Sequence, residues 1–177
     1  MIMTPRILVA GIGNIFLGDD AFGVEVARTL MERPLANGIE VIDFGIRGFD
    51  LAYALLEDYA ASILIDAAAR GGLPGTLYLI EHDIDEANGS AVPAMQTHNV
   101  NPVEVLTLVK ALGGQPRHIY VVGCEPATFG DENGQMGLSP PVQAVVEEAA
   151  RLVESVATQL LAADSRIEER EESEVTQ

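Results

Sequence analysis

The chain of 177 residues fits one domain, and 48% of it is apolar, so a core can form without disulfides or a structural metal. Its formal net charge is −17; the segment Asp164–Gln177 carries six acids and two arginines, for −4, which leaves −13 on the body, and a surface this acidic repels nucleic acid and anionic membranes while suiting a basic partner or a cation. Cys124 is the single cysteine, no run reaches the roughly 18 apolar residues of a membrane helix, and no basic region with a long apolar run opens the chain, so the sequence reads as cytoplasmic and soluble.

The elements alternate between strand-like and helix-like periods, which predicts an α/β fold: a three-layer sandwich with a twisted, mostly parallel sheet and helices on both faces. Arg6–Ala10 is an apolar run stopped by Gly11 and reads as a buried strand. Asp20–Met31 reads as a helix, Glu40–Phe44 as the second strand and Phe49–Asp58 as a helix with Leu51, Leu55 and Leu56 inward. Ser62–Ala67 reads as the third strand. The turn Gly71–Gly75 leads to Thr76–Ile80, a strand whose connection is too short for a helical crossover, so it is expected to run antiparallel to its neighbour. Asn101–Leu112 reads as a helix with Val103, Leu106, Val109 and Leu112 on one face, closed by Gly113 and Gly114. His118–Gly123 reads as the last strand. Ser139 is expected to N-cap the final helix, with Pro140 at its first position. The apolar stripe of that helix stops near Ala163. Residues 1–163 are therefore taken as one domain and 164–177 as a frayed or disordered acidic tail.

Three polar places follow the C-terminal ends of strands, where open α/β sheets hold their ligands. Asp19 and Asp20 follow the first strand through GIGNIFLG. Either can cap the coming helix, which leaves the other acid for another task. Asp66 ends the third strand in an otherwise apolar run, where a lone carboxylate needs a donor or a cation; Arg70 is the plain structural partner for it. His98 lies in the loop Ser90–Val100, just before a helix, and alone reads as an ordinary loop histidine. Two carboxylates and an imidazole are a workable ligand set for a divalent transition metal. His82, in a charged stretch, and His118, beside Arg117, are weaker candidates.

Other site types are disfavoured. GIGNIF departs from the dinucleotide fingerprint at Phe16, and a pyrophosphate there would face Asp19 and Asp20. GxxxxGK[ST], HExxH and GxSxG are absent from the sequence. Cys124 precedes Glu125, an acid that raises a thiol pKa, so it reads as packing and not as a nucleophile.

The motifs GIGNIFLGDDAFG (Gly11–Gly23), DFGIRG (Asp43–Gly48), LIDAAARGGLPGTLY (Leu64–Tyr78), THNVNPVEVL (Thr97–Leu106), VVGCEP (Val121–Pro126) and GLSPPV (Gly137–Val142) occur in this order. In them the chain resembles the hydrogenase maturation endopeptidases over roughly Ile7 to Val156. The resemblance implies that Asp20, Asp66 and His98 are the metal-binding positions, with Asp20 or Asp66 as general base; some family members carry Glu where this chain has Asp20. It implies that the substrate is the precursor of a nickel–iron hydrogenase large subunit. That precursor is trimmed near its C-terminus after nickel has been inserted, so the metal is presented by the substrate. The DFGIRG motif is either a strand-to-helix turn or part of the cleft wall. A non-catalytic nickel-sensing scaffold on the same fold is the alternative function.

Overall fold

The computed structural model describes residues 5–82 and 100–175, of which 166–175 are described as backbone alone. Among the described residues five strands form one sheet: β1 (Ile7–Ile12), β2 (Ile39–Gly45), β3 (Ala61–Ala67), β4 (Leu77–His82) and β5 (Ile119–Cys124). Their order across the sheet is β2-β1-β3-β5-β4. β1 pairs in parallel with β2 and β3, and β3 with β5. β4 is the antiparallel strand, as its short connection requires, but it pairs with β5 and not with β3. The last strand of the chain thus inserts between two earlier ones.

Every residue of β1 and the first six of β3 are buried, which central parallel strands covered on both faces demand. Alternate side chains feed two cores. Ile7, Val9, Ile63, Ile65, Val122 and Cys124 point to one face, where α1 (Phe22–Met31) and α5 (Val146–Val175) cover them with Phe22, Val26, Leu30, Ala149 and Val153. Leu8, Ala10, Ile12, Leu64 and Ile119 point to the other, against Leu51 and Leu55 beside α2 (Gly48–Ala54) and Val105, Leu106 and Val109 of α3 (Pro102–Ala111). Each large apolar side chain so buried contributes roughly 1.5–3 kcal/mol, largely offset by chain entropy. The expected three layers are present.

The glycines of the first motif serve close packing. A Cβ on Gly23 would stand 2.0 Å from the Ile65 carbonyl oxygen and 2.3 Å from that of Ile12, so the start of α1 rests directly on β1 and β3. Gly13, at φ +140°, has no room for a side chain either: its Cβ would lie 1.7 Å from the Asp20 carbonyl oxygen. The loop therefore folds back until Asp20 touches the end of β1.

Four expectations shift. In α3 the buried residues are Val105, Leu106, Leu108 and Val109, while Val103 and Leu112 are half exposed (49% and 48%). Asn101 caps this helix by accepting the Val103 N–H, with Pro102 at its first position, so Val103 sits on the exposed opening turn. α2 ends at Ala54, four residues short, because Leu56 and Glu57 already bond back to Tyr53 and Ala54 in a tight turn, and Leu56 is 39% exposed. Ser139 precedes a short helix, α4 (Pro140–Gln143), without capping it through its side chain; its hydroxyl is engaged elsewhere, as described below. Finally, α5 runs to Val175, through most of the segment expected to be frayed. The Glu and Arg residues there are strong helix formers. Among the described residues no helix is long and apolar enough to cross a membrane.

Candidate active site

From β1 the chain moves outward to β2 on one side and then to β3 on the other, so the strand order reverses between β1 and β3. Open α/β sheets bind ligands in the crevice at that point, beyond the carboxyl ends of the strands. Asp20 and Asp66 both lie there. Asp66 is the sixth residue of β3 and Asp20 is the third residue of a single 3-10 turn, Gly18–Ala21, that follows β1. Both are 8% exposed. They line one cleft of about 430 Å³ together with Ala68, Arg70, His82, Val103 and Phe129.

The neighbouring acids Asp19 and Asp20 have separate tasks. Asp19 is fully buried. Its carboxylate accepts from Ala127 N (2.7 Å), Thr128 N (3.1 Å), Ser139 N (2.6 Å) and Ser139 Oγ (2.8 Å). It is a staple that ties the segment after β5 to the first loop, and it takes the hydroxyl expected to cap the last helix. Further bonds, Gly18 N to the Gln135 carbonyl and Gln135 N to the Phe16 carbonyl, close the same seam. Asp20 turns the other way and accepts only the Asn14 N–H, at 2.7 Å, among the described hydrogen bonds. Neither acid makes a side-chain cap to α1.

Burial raises the pKa of Asp20, with the Asn14 N–H acting in the opposite direction. Burial also pushes Asp66 well above the usual carboxylate range, the nearby charge of Asp20 adds to the rise, and the Ala67 N–H opposes it. Two buried acids in one cleft, the charge of one disfavouring ionisation of the other, suit the seat of a cation. Arg70, the structural partner considered for Asp66, makes no ion pair with it; its guanidinium lies over the Tyr78 ring. The donor chemistry thus fits a divalent cation, which would relieve both the burial cost and the mutual repulsion. Among the described residues no cluster of three or more His, Cys, Asp or Glu is placed to hold a metal. His98, the third expected ligand, lies outside the described residues. His82, set aside from its charged surroundings, is in fact the last residue of β4 and lines the same cleft; its strand position was the overlooked signal.

Cys124 is buried at the end of β5, and burial with the nearby charge of Asp19 pushes its thiol up to about 12, which agrees with a packing role. The DFGIRG motif turns from β2 into α2 and also borders a second cleft, of about 520 Å³, with Gly13, Asn14, Phe16, Arg28 and Asp43. Asp43 is ion-paired with Arg28 at 3.4 Å. The motif is therefore a strand-to-helix turn, and the cleft it borders is not the one lined by Asp20 and Asp66.

Fold and cleft together define an α/β protein with two buried carboxylates, Asp20 and Asp66, lining one cleft at the switch point of its sheet. A family model described as hydrogenase maturation protease matches residues 24–156, and the chain belongs to that family. The chain is 31% identical over 156 residues to the hydrogenase expression/formation protein HupD of Rhizobium leguminosarum bv. viciae, covering 85% of this chain and 75% of that one. It is 32% identical over 158 residues to the hydrogenase 2 maturation protease of Escherichia coli K12, covering 84% and 88%. Among solved structures, the hydrogenase maturating endopeptidase HybD from E. coli superposes with a TM-score of 0.67 at 29% identity, covering 87% of this chain and 93% of that one. A hydrogenase 2 maturation peptidase from a Thaumarchaeota archaeon gives 0.65 at 30% identity, covering 85% and 97%.

Proposed function

We propose that the protein is the endopeptidase that removes the C-terminal extension from the precursor of a nickel–iron hydrogenase large subunit, and that it acts on precursor already loaded with nickel. The observation that carries this reading is the pair Asp20 and Asp66, both buried in one cleft at the switch point and neither in an ion pair among the described residues. Nickel enters as part of the substrate. Asp20 and Asp66, completed by His98, reach toward it. The cleft holds two acids, the charge of Asp20 disfavouring ionisation of Asp66, and a metal-loaded tail relieves that opposition where a metal-free tail does not. Discrimination between the two precursors is then a difference in affinity.

The metal's charge supplies Lewis acidity at the scissile carbonyl or at a bound water. The chain's own residues orient the peptide, and one carboxylate of the pair accepts the proton of the attacking water and returns it to the leaving amine. We read the protein as acting in the cytoplasm, with neither nucleic acid nor membrane as a partner, in keeping with its net charge of −17.

The test is intact-mass spectrometry of the cognate precursor, with and without nickel. The expected result is loss of a short C-terminal peptide from the loaded form only. Asp20→Ala, Asp66→Ala and His98→Ala should each abolish it, while His82→Ala should keep turnover within a few-fold. A stable complex without mass loss would indicate a scaffold, and cleavage regardless of nickel would remove the metal-sensing role of the three residues.

A further inference from the structure

Arg6, Arg28, Arg33, Arg47 and Arg117 are each ion-paired with an Asp or Glu. Arg70 has no such partner among the described residues, although it lines the same cleft as Asp20 and Asp66. It is nevertheless held in place. Glu125, 5% exposed, accepts from the backbone N–H groups of Arg70 (2.8 Å) and Gly71 (3.2 Å) and from the Tyr78 hydroxyl (2.8 Å). The Tyr78 ring in turn carries the guanidinium, 5.5 Å above its centroid, a favourable seat for a cation. Gly72 makes room for this, since a Cβ there would stand 2.3 Å from the Tyr78 oxygen. One buried carboxylate thus fixes both the backbone and the ring on which Arg70 rests, and leaves its donors free toward the cleft.

Resting on the reading of this site as one that processes a peptide tail, we propose that Arg70 binds a carboxylate of the substrate's C-terminal peptide, with Tyr78 and Glu125 as its positioning residues. A guanidinium fork matches a carboxylate in two parallel hydrogen bonds. A chain terminus always brings one carboxylate, and a cleft already holding two acids would repel it without such a counter-charge. The source is either the terminal α-carboxylate or an acidic side chain near it.

The test is fluorescence anisotropy with a labelled synthetic peptide that spans the precursor's C-terminal extension, in free-acid form, with a terminal amide, and with its Asp and Glu changed to Asn and Gln. Arg70→Gln should weaken binding of the free-acid peptide about tenfold or more, and Arg70→Lys should fall between. The wild type should lose the same factor on one of the two altered peptides, which identifies the source, and Arg70→Gln should lose nothing further on that peptide. Tyr78→Phe removes one hydroxyl without threatening the fold. It and Glu125→Gln should raise KM for nickel-loaded precursor several-fold with kcat within about twofold. Equal affinity of Arg70→Gln and wild type, or wild-type indifference to both altered peptides, would overturn the proposal. Because binding needs no cleavage, Arg70-dependent binding without processing would overturn the protease reading alone. Processing with unchanged binding in Arg70→Gln would overturn the role of Arg70 alone.

Discussion

Replacing Asp19 by Ala removes a carboxylate that holds four donors. Ala127 is exposed and Thr128 half-buried, so their N–H groups can turn to water. Ser139 is 7% exposed, and its N–H and hydroxyl would be stranded. A buried donor left unmade costs roughly 1–3 kcal/mol, so two stranded donors plus lost packing give a destabilisation of about 3–5 kcal/mol. With a urea m-value of about 2 kcal/mol per molar, the unfolding midpoint should fall by about 1.5–2.5 M. Ser139→Ala, which removes one donor and leaves Asp19 with three, should lose only about 1 kcal/mol. Asp20→Ala is the contrasting control. It deletes an acid whose charge is disfavoured by burial and which accepts one N–H, so its midpoint should hold or rise while processing is lost. Urea titrations of the three variants at pH 7, followed by circular dichroism, decide the matter. A loss below about 1 kcal/mol in Asp19→Ala, or equal losses in Asp19→Ala and Asp20→Ala, would refute the division of labour between these neighbours.

Asp66 has its folded-state pKa raised by burial and by Asp20. Its contribution is fully present below the unfolded value of about 4 and is lost as pH rises through the folded value. In chelator-treated protein, stability should therefore decline from mildly acid to neutral pH, and Asp66→Asn should flatten that slope; identical pH profiles by thermal melts would contradict the raised value. Gly23→Ala places a methyl group against the carbonyl oxygens of Ile65 and Ile12, so it should cost about 3 kcal/mol or more and depress processing with it, read by melting temperature and turnover together. Cys124, with its thiol pushed up to about 12, should resist alkylation by iodoacetamide at pH 8 in the native state and react only on unfolding. Cys124→Ala should process precursor normally; rapid labelling of the folded protein, or loss of turnover in that variant, would reopen a nucleophilic role.

The strands were legible because β1 and β3 are unbroken apolar runs, and β4 because its approach is too short for a crossover. Its partner was not legible, since β5 arrives some forty residues later and no local signal tells it to insert beside β3. Helix phase failed where capping chemistry overrode periodicity: Asn101 and Pro102 set the start of α3 and leave Val103 outside the core. Asp66 could be read from cost alone, a charge in an apolar run. Asp19 and Asp20 could be recognised as a pair, but their separation into staple and site depends on where residues 127–139 fall in space. His82 was undervalued because the end of β4 was placed two residues too early, at Ile80, so a strand-terminal side chain looked like a solvated one. His98, a candidate both from its position just before a predicted helix and from the resemblance, lies outside the described residues.

The Asp19 staple has a bearing on synthesis. Its partners, Ala127, Thr128 and Ser139, emerge from the ribosome more than a hundred residues after the acid that gathers them. The strand beside Asp66, β5, is likewise a late arrival. A nascent chain carries both cleft acids early, yet the frame that holds them is assembled only near completion. The relative placement of the two acids is therefore set by the last third of the chain, so a chain that stops before Ser139 carries the acids without the seam that fixes the first loop.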